Sequence, residues 1–174
     1  RFLNRDELRF SLRSLDYHAP WVRRVFVVSN CSPPDWINLE EKRIVWVDHK
    51  EIMSEETLPT FSSHAIESRL QHIPELANHF LYFNDDFFLL RPSEPWDFFQ
   101  SNGVSKSFME EYGTVNGAAL EGDPDYLNAA RNGQRLIHET FGCFVVSLHK
   151  HTPYALRKDV LVECLSVAPA KRTG

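Results

Sequence analysis

The segment FLYFNDDFFLL, residues 80–90, encloses the polar triplet Asn84-Asp85-Asp86 between apolar and aromatic side chains. The short apolar run before the triplet is typical of a strand that is buried in a sheet. Burying two adjacent carboxylates there would cost several kcal/mol each unless a cation or a set of hydrogen-bond donors met them. Because ligands of open α/β sheets bind beyond the carboxyl ends of the strands, the triplet predicts a metal-nucleotide site. Asn and Asp also favour turns, so a plain turn is the alternative.

Length and composition are those of one soluble globular domain. The chain has 174 residues, of which 43% are hydrophobic and 25% are charged. With 24 acidic and 19 basic side chains, the formal net charge is -5, which does not favour a nucleic-acid partner. A phosphate-bearing substrate is compatible with this charge, because a local arginine or metal site is enough to bind one.

Neither a membrane span nor a disulfide framework is predicted. No apolar run approaches the roughly 20 residues that a membrane helix needs, and no signal peptide is recognisable. Cys31, Cys143 and Cys164 are odd in number and widely spaced, which indicates neither a zinc site nor a set of disulfides. Free cysteines of this kind favour a reducing compartment.

Both ends of the chain predict a fragment. The sequence starts with Arg1 rather than Met, at the lead-in to a helix that Asn4 is placed to cap. Residues 166–174 form an irregular polar tail without periodicity. We therefore expect the fold to be incomplete at both ends.

Helix and strand patterns alternate along the chain. Helical spacing of apolar residues predicts helices over residues 6–17, 64–72, 125–140 and 154–165. Short apolar runs predict strands over residues 25–28, 44–47, 80–83 and 141–146, and turn residues predict a hairpin within 103–122. Because the strands end in polar residues, the pattern predicts an α/β fold with a Rossmann-like, mostly parallel sheet flanked by helices.

Glu67 follows the candidate helix caps Ser62 and Ser63 and lies in about the first turn of the helix predicted over residues 64–72. A carboxylate there gains about 0.3–1 kcal/mol from the helix dipole, so a purely structural role accounts for it. The helix, loop and strand that join Glu67 to Asp85 are also able to bring both carboxylates to one cleft.

Two other patterns are better explained by solvent exposure. Arg5, Arg9 and Arg13 lie four residues apart and form one helical stripe, for which a solvated face is favoured over a phosphate-contacting one. His149 and His151 would point to the same side of a strand as a metal pair. A surface loop is the favoured interpretation, and we reject zinc because further ligands are missing.

Six motifs follow one another along the first half of the chain: RDEL (5–8), SLRS (11–14), APWV (19–22), LPTFSSHAIE (58–67), IPEL (73–76) and YFNDD (82–86). Together they resemble the second conserved region of the Stealth family, over about residues 4–100. A weaker likeness to the third region includes HTPYALRKDVL (151–161), so we expect this region at about 149–165 and one phosphotransferase domain over residues 1–165. The family includes bacterial capsular polysaccharide phosphotransferases and the animal enzyme that adds N-acetylglucosamine-1-phosphate to mannose on lysosomal hydrolases.

The resemblance implies a reaction. A sugar-1-phosphate passes from a nucleotide sugar, here a UDP-sugar such as UDP-N-acetylglucosamine, to a hydroxyl of a glycan acceptor. The product is a phosphodiester of a capsular polysaccharide or exopolysaccharide, and the reaction depends on Mg²⁺ or Mn²⁺. A bacterial member is expected in the cytoplasm, in association with the membrane, and an animal homologue in the Golgi lumen.

The resemblance also implies roles for residues at matching motif positions. Glu67, Asp86 and His151 are expected to be catalytic, and Asp85 and Asp86 are expected to hold the metal. A cation held by carboxylates neutralises charge on phosphoryl oxygens, and Mg²⁺ usually takes one or two protein carboxylates. The base that accepts the proton of the acceptor hydroxyl is either His151 or Glu67. Substrate contacts are expected from four further residues: Arg13, Thr60, Ser62 and Asn84.

The sequence departs from the family pattern in two places. The first region, a short strand motif of the type Asp-Val-Val-Tyr-Thr-Trp-Val-Asp-Gly, should precede Arg1, and the fourth region should follow the last predicted helix. The first region would supply a central strand and part of the nucleotide pocket, so we expect this piece alone to be catalytically incomplete. The alternatives are a truncated, non-catalytic remnant or carbohydrate-binding module, and a conventional metal-dependent glycosyltransferase.

Overall fold

The computed structural model describes the backbone of residues 5–167 and the side chains of residues 5–164. Asn4, the expected helix cap, and the expected tail from residue 168 onward lie outside the described residues. The described chain forms two compact units. Unit 1 contains residues 5–105 and 153–166, and unit 2 contains residues 106–152 together with Val167, the last residue of the helix that starts at Lys158.

Helices and strands alternate through both units. Unit 1 contains, in chain order, α1 (Glu7–His18), β1 (Val25–Ser29), β2 (Ile44–Asp48), α2 (His49–Ile52), α3 (Ser63–Glu67), β3 (His79–Tyr82), α4 (Pro95–Phe98), β6 (Tyr154–Arg157) and α6 (Lys158–Val167). Unit 2 contains β4 (Met109–Thr114), α5 (Asp125–Phe141) and β5 (Ser147–His149). The helices predicted over residues 6–17 and 125–140 and the strands predicted over 25–28, 44–47 and 80–83 are confirmed to within a residue at each end.

Strand pairing is only partly parallel. Strands β1 and β2 are parallel, with Val25 opposite Ile44, whereas β3 and β6 are antiparallel, with Tyr82 opposite Tyr154. Strands β4 and β5 of unit 2 are also antiparallel. The described residues therefore form small two-stranded sheets rather than the single, mostly parallel sheet that we predicted, while the mixture of helices and strands is as expected.

The main hydrophobic core of unit 1 lies against one face of β1 and β3. Its buried members are Val47, Ile52, Met53, Leu70 and Ile73. Alternate strand residues pack against it from the sheets, including Phe26 and Val28 of β1 and Phe80 and Tyr82 of β3. This alternation follows from the two-residue period of a strand, and it directs the Tyr82 ring towards the same side as the core.

Helix α1 packs on the segment that follows the Asn84-Asp85-Asp86 triplet. Leu12 and Leu15 are buried on its inner face. The Ser14 hydroxyl accepts a hydrogen bond of 3.0 Å from the Leu89 amide, and the Ser93 hydroxyl donates one of 3.1 Å to the His18 carbonyl. These contacts hold the chain after the triplet against the first helix.

Two predicted helices differ from the structure. The segment 154–157, predicted as the start of a helix, is strand β6, because its backbone pairs with β3 and helix α6 begins only at Lys158. The helix predicted over residues 64–72 ends at Glu67, and a separate 3-10 turn follows at Leu70–His72. The Ser68 hydroxyl donates to the Ala65 carbonyl at 2.8 Å, which is the kind of local bond that competes with helix continuation.

Unit 2 also corrects two predictions. Strand β4 pairs with β5 rather than forming a hairpin within residues 103–122. The strand predicted over residues 141–146 lies later, at Ser147–His149, because α5 continues to Phe141 and ends with Gly142 in the left-handed conformation at a φ of 68°. Glycine is the usual residue at such a helix end, since it has no Cβ to oppose a positive φ. Within residues 5–167, no helix is both long and apolar enough to span a bilayer.

Candidate active site

Tyr82, the last residue of β3, connects two of the predicted site residues. Its hydroxyl oxygen lies 2.9 Å from Oε1 of Glu67 and 2.7 Å from Oδ1 of Asn84. A phenol carries one proton, so it donates to one of these oxygens at a time. Glu67 and Asn84 therefore meet at a single hydroxyl at the end of the strand.

Glu67 owes its position to the short helix α3. The Ser62 hydroxyl accepts a hydrogen bond of 3.4 Å from the Ala65 amide, which confirms the predicted cap. Glu67 is the last residue of α3 and not part of its first turn, so the dipole argument for a structural role was wrong. The carboxylate is half-buried and is oriented by Tyr82 instead.

Tyr154 completes this cluster from strand β6. Its ring stacks on the Tyr82 ring, with centroids 6.0 Å apart and planes 5° from parallel. The two tyrosines are directly opposite in the β3–β6 ladder, which is why their side chains lie on the same face. Tyr154 was missed as a site residue because segment 154–157 was predicted to be helical. Tyr82 is the first residue of the motif YFNDD (82–86). The available signal was a tyrosine in a predicted buried strand, because its hydroxyl needs a hydrogen-bond partner there.

Both phenols of the cluster are held in their protonated form. Burial raises the pKa of Tyr82, and the negative charge of Glu67 and the hydrogen bond to it raise this pKa further. Burial and the Glu67 charge also raise the pKa of Tyr154. At neutral pH Tyr82 therefore keeps its proton, is a hydrogen-bond donor and is not a base.

Asp85 and Asp86 occupy a turn directly after Tyr82, Phe83 and Asn84. The turn is closed by a hydrogen bond of 3.1 Å from the Phe87 amide to the Asn84 carbonyl. Both aspartates are exposed, so the expectation that they are buried at a strand end was wrong. The turn moves them out of the sheet to an exposed position, where the cost of burying a carboxylate does not arise.

The aspartates nevertheless fit a hydrated divalent cation. Two adjacent, solvent-accessible carboxylates are what Mg²⁺ usually takes from a protein, with waters and substrate phosphates as the other ligands. Among residues 5–167, no group of three or more His, Cys, Asp or Glu side chains is placed to hold a metal ion. Asp85 and Asp86 are thus compatible with a metal that is shared with a substrate.

A large cavity of unit 1 lies beside the turn. It has a volume of about 1060 Å³, and Tyr82, Asn84 and Asp85 line it together with Ser29 at the end of β1. The cavity therefore reaches the carboxyl ends of two strands, where polar side chains are accessible to a ligand.

The remaining substrate-contact candidates have other surroundings. Arg13 is exposed and lines a separate cavity of about 280 Å³, so the structure does not bring it to the cavity that Asp85 lines. The Thr60 hydroxyl accepts a hydrogen bond of 3.2 Å from the Ser62 amide. Thr60 and Ser62 are therefore engaged in organising the start of α3, and their contact with a substrate stays a prediction.

His151 belongs to unit 2. It is exposed and lies in a bend after β5, of which His149 is the last residue. The two histidines are therefore not on one strand, and the metal pair considered for them does not form in that way. That His151, Glu67 and Asp86 lie in one cleft stays a prediction.

The chain is similar in sequence to one family model and to polysaccharide phosphotransferases of two bacteria. The family model described as "Stealth protein CR2, conserved region 2" matches residues 1–107. The capsular polysaccharide phosphotransferase SacB of Neisseria meningitidis serogroup A is 51% identical over 163 residues, which are 94% of this chain and 30% of that protein. The exopolysaccharide phosphotransferase SCO6023 of Streptomyces coelicolor is 48% identical over 164 residues, which are 94% of this chain and 28% of that protein.

The similarity extends over nearly the whole sequence, although the chain spans less than a third of the length of these curated relatives. The matched residues 1–107 include α1 and β1–β3, and with them Glu67, Tyr82 and the Asn84-Asp85-Asp86 turn. The chain therefore belongs to the Stealth family.

Proposed function

We propose that the protein to which this chain belongs transfers a sugar-1-phosphate from a nucleotide sugar, a UDP-sugar, to a hydroxyl of a glycan acceptor. The product is a phosphodiester in a capsular polysaccharide or exopolysaccharide. Relatives whose names state capsular and exopolysaccharide phosphotransferase activity support this proposal. The structural observation that carries it is the hydrogen bond between the Tyr82 hydroxyl and the Glu67 carboxylate. Tyr82 ends the strand that leads into the Asp85-Asp86 turn.

The proposed chemistry is a displacement at phosphorus. The acceptor hydroxyl oxygen bonds to the β-phosphorus of the UDP-sugar, and the bond from this phosphorus to the oxygen bridging it to the α-phosphate breaks. UMP leaves with that oxygen, and the acceptor proton passes to a base of the protein. A conventional glycosyltransferase would form its new bond at the sugar carbon and release UDP.

Each expected site residue has a place in this proposal. Asp85 and Asp86 would hold Mg²⁺ or Mn²⁺, which when bound neutralises charge on the diphosphate. Asn84, which meets the Tyr82 hydroxyl and lines the cavity, would contact the donor. Further contacts to the donor or acceptor are assigned to three residues: Arg13, Thr60 and Ser62.

The base is either Glu67 or His151, and matched variants separate them. Glu67→Gln and His151→Gln each remove one candidate base and keep a polar side chain. The variant of the correct base loses the dependence of kcat/KM on pH that the parent protein shows, whereas the variant of the other residue retains it.

The function is tested by the leaving nucleotide. The full-length protein is incubated with UDP-N-acetylglucosamine, Mg²⁺ and a glycan acceptor, and the nucleotides are separated by chromatography. Acceptor-dependent release of UMP supports the proposal. Release of UDP supports a conventional glycosyltransferase, and absence of turnover with a panel of UDP-sugars supports the non-catalytic alternative; either result contradicts the proposal.

Two finer expectations remain proposals alongside this function. We propose that the small sheets of unit 1 belong to one Rossmann-like sheet in the whole protein. The cytoplasmic location with membrane association, expected for a bacterial member, is likewise a proposal, and both of the relatives described above are bacterial.

A further inference from the structure

The smaller cavity of unit 1 is lined by α1 and by the loop that joins β1 to β2. It has a volume of about 280 Å³, and Val25 and Ile44, the first residues of these two strands, also line it. Its charged lining consists of three arginines and two carboxylates: Arg9, Arg13, Arg43, Asp16 and Glu41. This cavity, named the arginine pocket below, therefore carries one net positive charge in a chain whose formal net charge is -5.

The two arginines of α1 are available to a ligand. Arg9 and Arg13 are four residues apart, so they lie on the same face of the helix. Among the side chains of residues 5–164, no ion pair involves either of them. Their spacing alone favours a solvated face, whereas the structure gives both guanidinium groups one concave surface in common.

Arg43 contributes a third guanidinium group with an unused donor. Its Nη1 atom forms an ion pair of 2.7 Å with Oδ1 of Asp16. Its Nη2 atom is buried and has no hydrogen-bond acceptor among the residues that the structure describes. Because buried polar groups are hydrogen-bonded in nearly all cases, an unpaired nitrogen on a residue that lines a cavity indicates a ligand that brings an acceptor.

Trp36 adds an aromatic surface beside these charges. The Arg9 Cζ atom lies over its ring, 5.8 Å from the centroid. A guanidinium group on an aromatic face retains the N–H donors at its edge, so this contact leaves Arg9 able to bind an anion. Trp36 is still 39% exposed, which leaves apolar surface for the ring of a sugar.

The chemistry of the arginine pocket favours a phosphate ester. Arginine binds phosphate through two parallel N–H···O bonds and keeps its positive charge at any physiological pH. The single net positive charge of the lining matches the single negative charge of a phosphodiester better than the higher charge of a diphosphate. A phosphodiester next to a sugar ring is thus the ligand that this lining fits.

The arginine pocket also lies away from the expected metal site. Val25, at the start of β1, lines the pocket, whereas Ser29, at the end of β1, lines the larger cavity with Asp85. At 3.3 Å per residue, Val25 and Ser29 are about 13 Å apart. A donor diphosphate held at Asp85 and Asp86 therefore does not explain a phosphate site at the arginine pocket.

We propose that the arginine pocket binds a phosphodiester of the acceptor glycan, with Arg9, Arg13 and Arg43 as donors and Trp36 beside the adjoining sugar ring. This assignment rests on the proposed function, whose product contains phosphodiesters. A phosphodiester made in one turnover belongs to the acceptor of the next, so the pocket retains the growing chain while its terminal hydroxyl reacts. The acceptor is accordingly an anionic oligosaccharide rather than a neutral one.

The binding test uses a fluorescent disaccharide, the full-length protein and anisotropy. Two N-acetylglucosamine units joined by a phosphodiester are compared with two units that carry the same label and are joined by a neutral glycosidic bond. We expect saturable binding of the phosphodiester probe and at least tenfold weaker binding of the neutral probe. Equal binding of both probes, or no saturable binding of the phosphodiester probe, overturns the proposal.

Matched variants locate the binding. Arg9→Gln and Arg13→Gln each remove one charge from the arginine pocket and should weaken binding of the phosphodiester probe at least tenfold. Arg5→Gln removes the same charge at an exposed position directly before α1 that does not line the pocket, and should change binding less than twofold. Far-UV circular dichroism checks that the variants are folded. Unchanged binding in Arg13→Gln, or an equal loss in Arg5→Gln, overturns the proposal.

Competition separates the acceptor from other sources of phosphate. Saturating UDP with Mg²⁺ should leave binding of the phosphodiester probe unchanged, because the donor is bound elsewhere. Displacement of the probe by UDP would assign the pocket to the donor diphosphate and overturns the proposal. Inorganic phosphate should displace the probe only at concentrations at least tenfold above those of the unlabelled phosphodiester disaccharide. Equal displacement would indicate a general anion site and also overturns it.

Kinetics add a readout that a merely structural role would not change. In the full-length protein, Arg13→Gln should raise KM for the phosphodiester acceptor at least tenfold and leave KM for the UDP-sugar within twofold. An equal rise in both KM values contradicts the assignment to the acceptor. The anisotropy assay needs no turnover, so its failure is distinct from a failure to release UMP. Release of UDP with intact probe binding would contradict the proposed function alone.

Discussion

The Tyr82 hydroxyl lies 2.9 Å from Oε1 of Glu67, although the two residues are 15 positions apart in the sequence. The bond joins the end of β3 to the end of α3 and orients a carboxylate beside the Asp85-Asp86 turn. In the proposed reaction, Tyr82 is a positioning residue, because it acts on Glu67 and has no part in proton transfer itself.

Tyr82→Phe removes this donor while retaining the ring. A hydrogen bond to a charged group contributes about 1.5–3 kcal/mol, so we expect kcat of the full-length protein to fall about tenfold or more, with little change in KM for the UDP-sugar. Steady-state kinetics measure both parameters. Tyr17→Phe, at a tyrosine that is 82% exposed, is the matched control and should leave them unchanged. An unchanged kcat for Tyr82→Phe would contradict the positioning role.

Asp86→Ala should abolish metal-dependent turnover without unfolding the protein. The residue is exposed in a turn, so the free energy of unfolding should change by no more than about 0.5 kcal/mol. Activity against Mg²⁺ concentration and urea denaturation provide the two measurements. Asp35→Ala, at another exposed aspartate, should retain the metal dependence of the parent. Turnover by Asp86→Ala at the parental metal requirement would remove Asp86 from the site.

The Arg157–Asp159 pair predicts a pH-dependent contribution to stability. Arg157 donates to both carboxylate oxygens of Asp159, at 3.1 and 2.5 Å, and lowers the pKa of that carboxyl to about 2. Because the folded-state pKa lies below the unfolded value of about 3.9, the contribution is present above pH 4 and is lost as the pH falls towards 2.

Urea denaturation between pH 6 and pH 2 measures this contribution. Asp159→Asn should be less stable than the parent above pH 4, and the two stabilities should converge as the pH approaches 2. Glu56→Gln, at an exposed glutamate, controls for general changes in charge. A stability difference for Asp159→Asn that is the same at every pH would show that the pair does not act through ionisation.

Ile52→Ala tests the main core. Ile52 is 4% exposed and packs with Val47 and Leu70, so its truncation should lower the free energy of unfolding by about 2–5 kcal/mol. Leu90→Ala, at a leucine that is 89% exposed, should change it by no more than about 0.5 kcal/mol. Chemical denaturation of the 174-residue chain measures both. Equal effects of the two substitutions would mean that this cluster is not the core.

Local sequence patterns were sufficient for several elements. Apolar spacing located α1 and α5, short apolar runs located β1–β3, and Ser62 was one of the two candidate helix caps. These features depend on neighbouring residues only, so that the periodicity and capping chemistry of the chain predict them. The order of the motifs around Glu67 and Asp85 likewise identified the family from the sequence.

Partner-dependent features required the structure. Tyr154 lies in a strand because β3 offers it a ladder, and Asp85 is exposed because the Phe87 amide closes a turn on Asn84. The sequence around Tyr154 has the spacing of a helix, and the residues before Asp85 form an apolar run. No local pattern that would predict either contact is stronger than these two. The sequence alone thus determined the family, the main early elements and the candidate residues. Only the tertiary structure decided that Tyr82 holds Glu67 and that β1 and β3 face one cavity, because both depend on segments distant in the chain meeting in space.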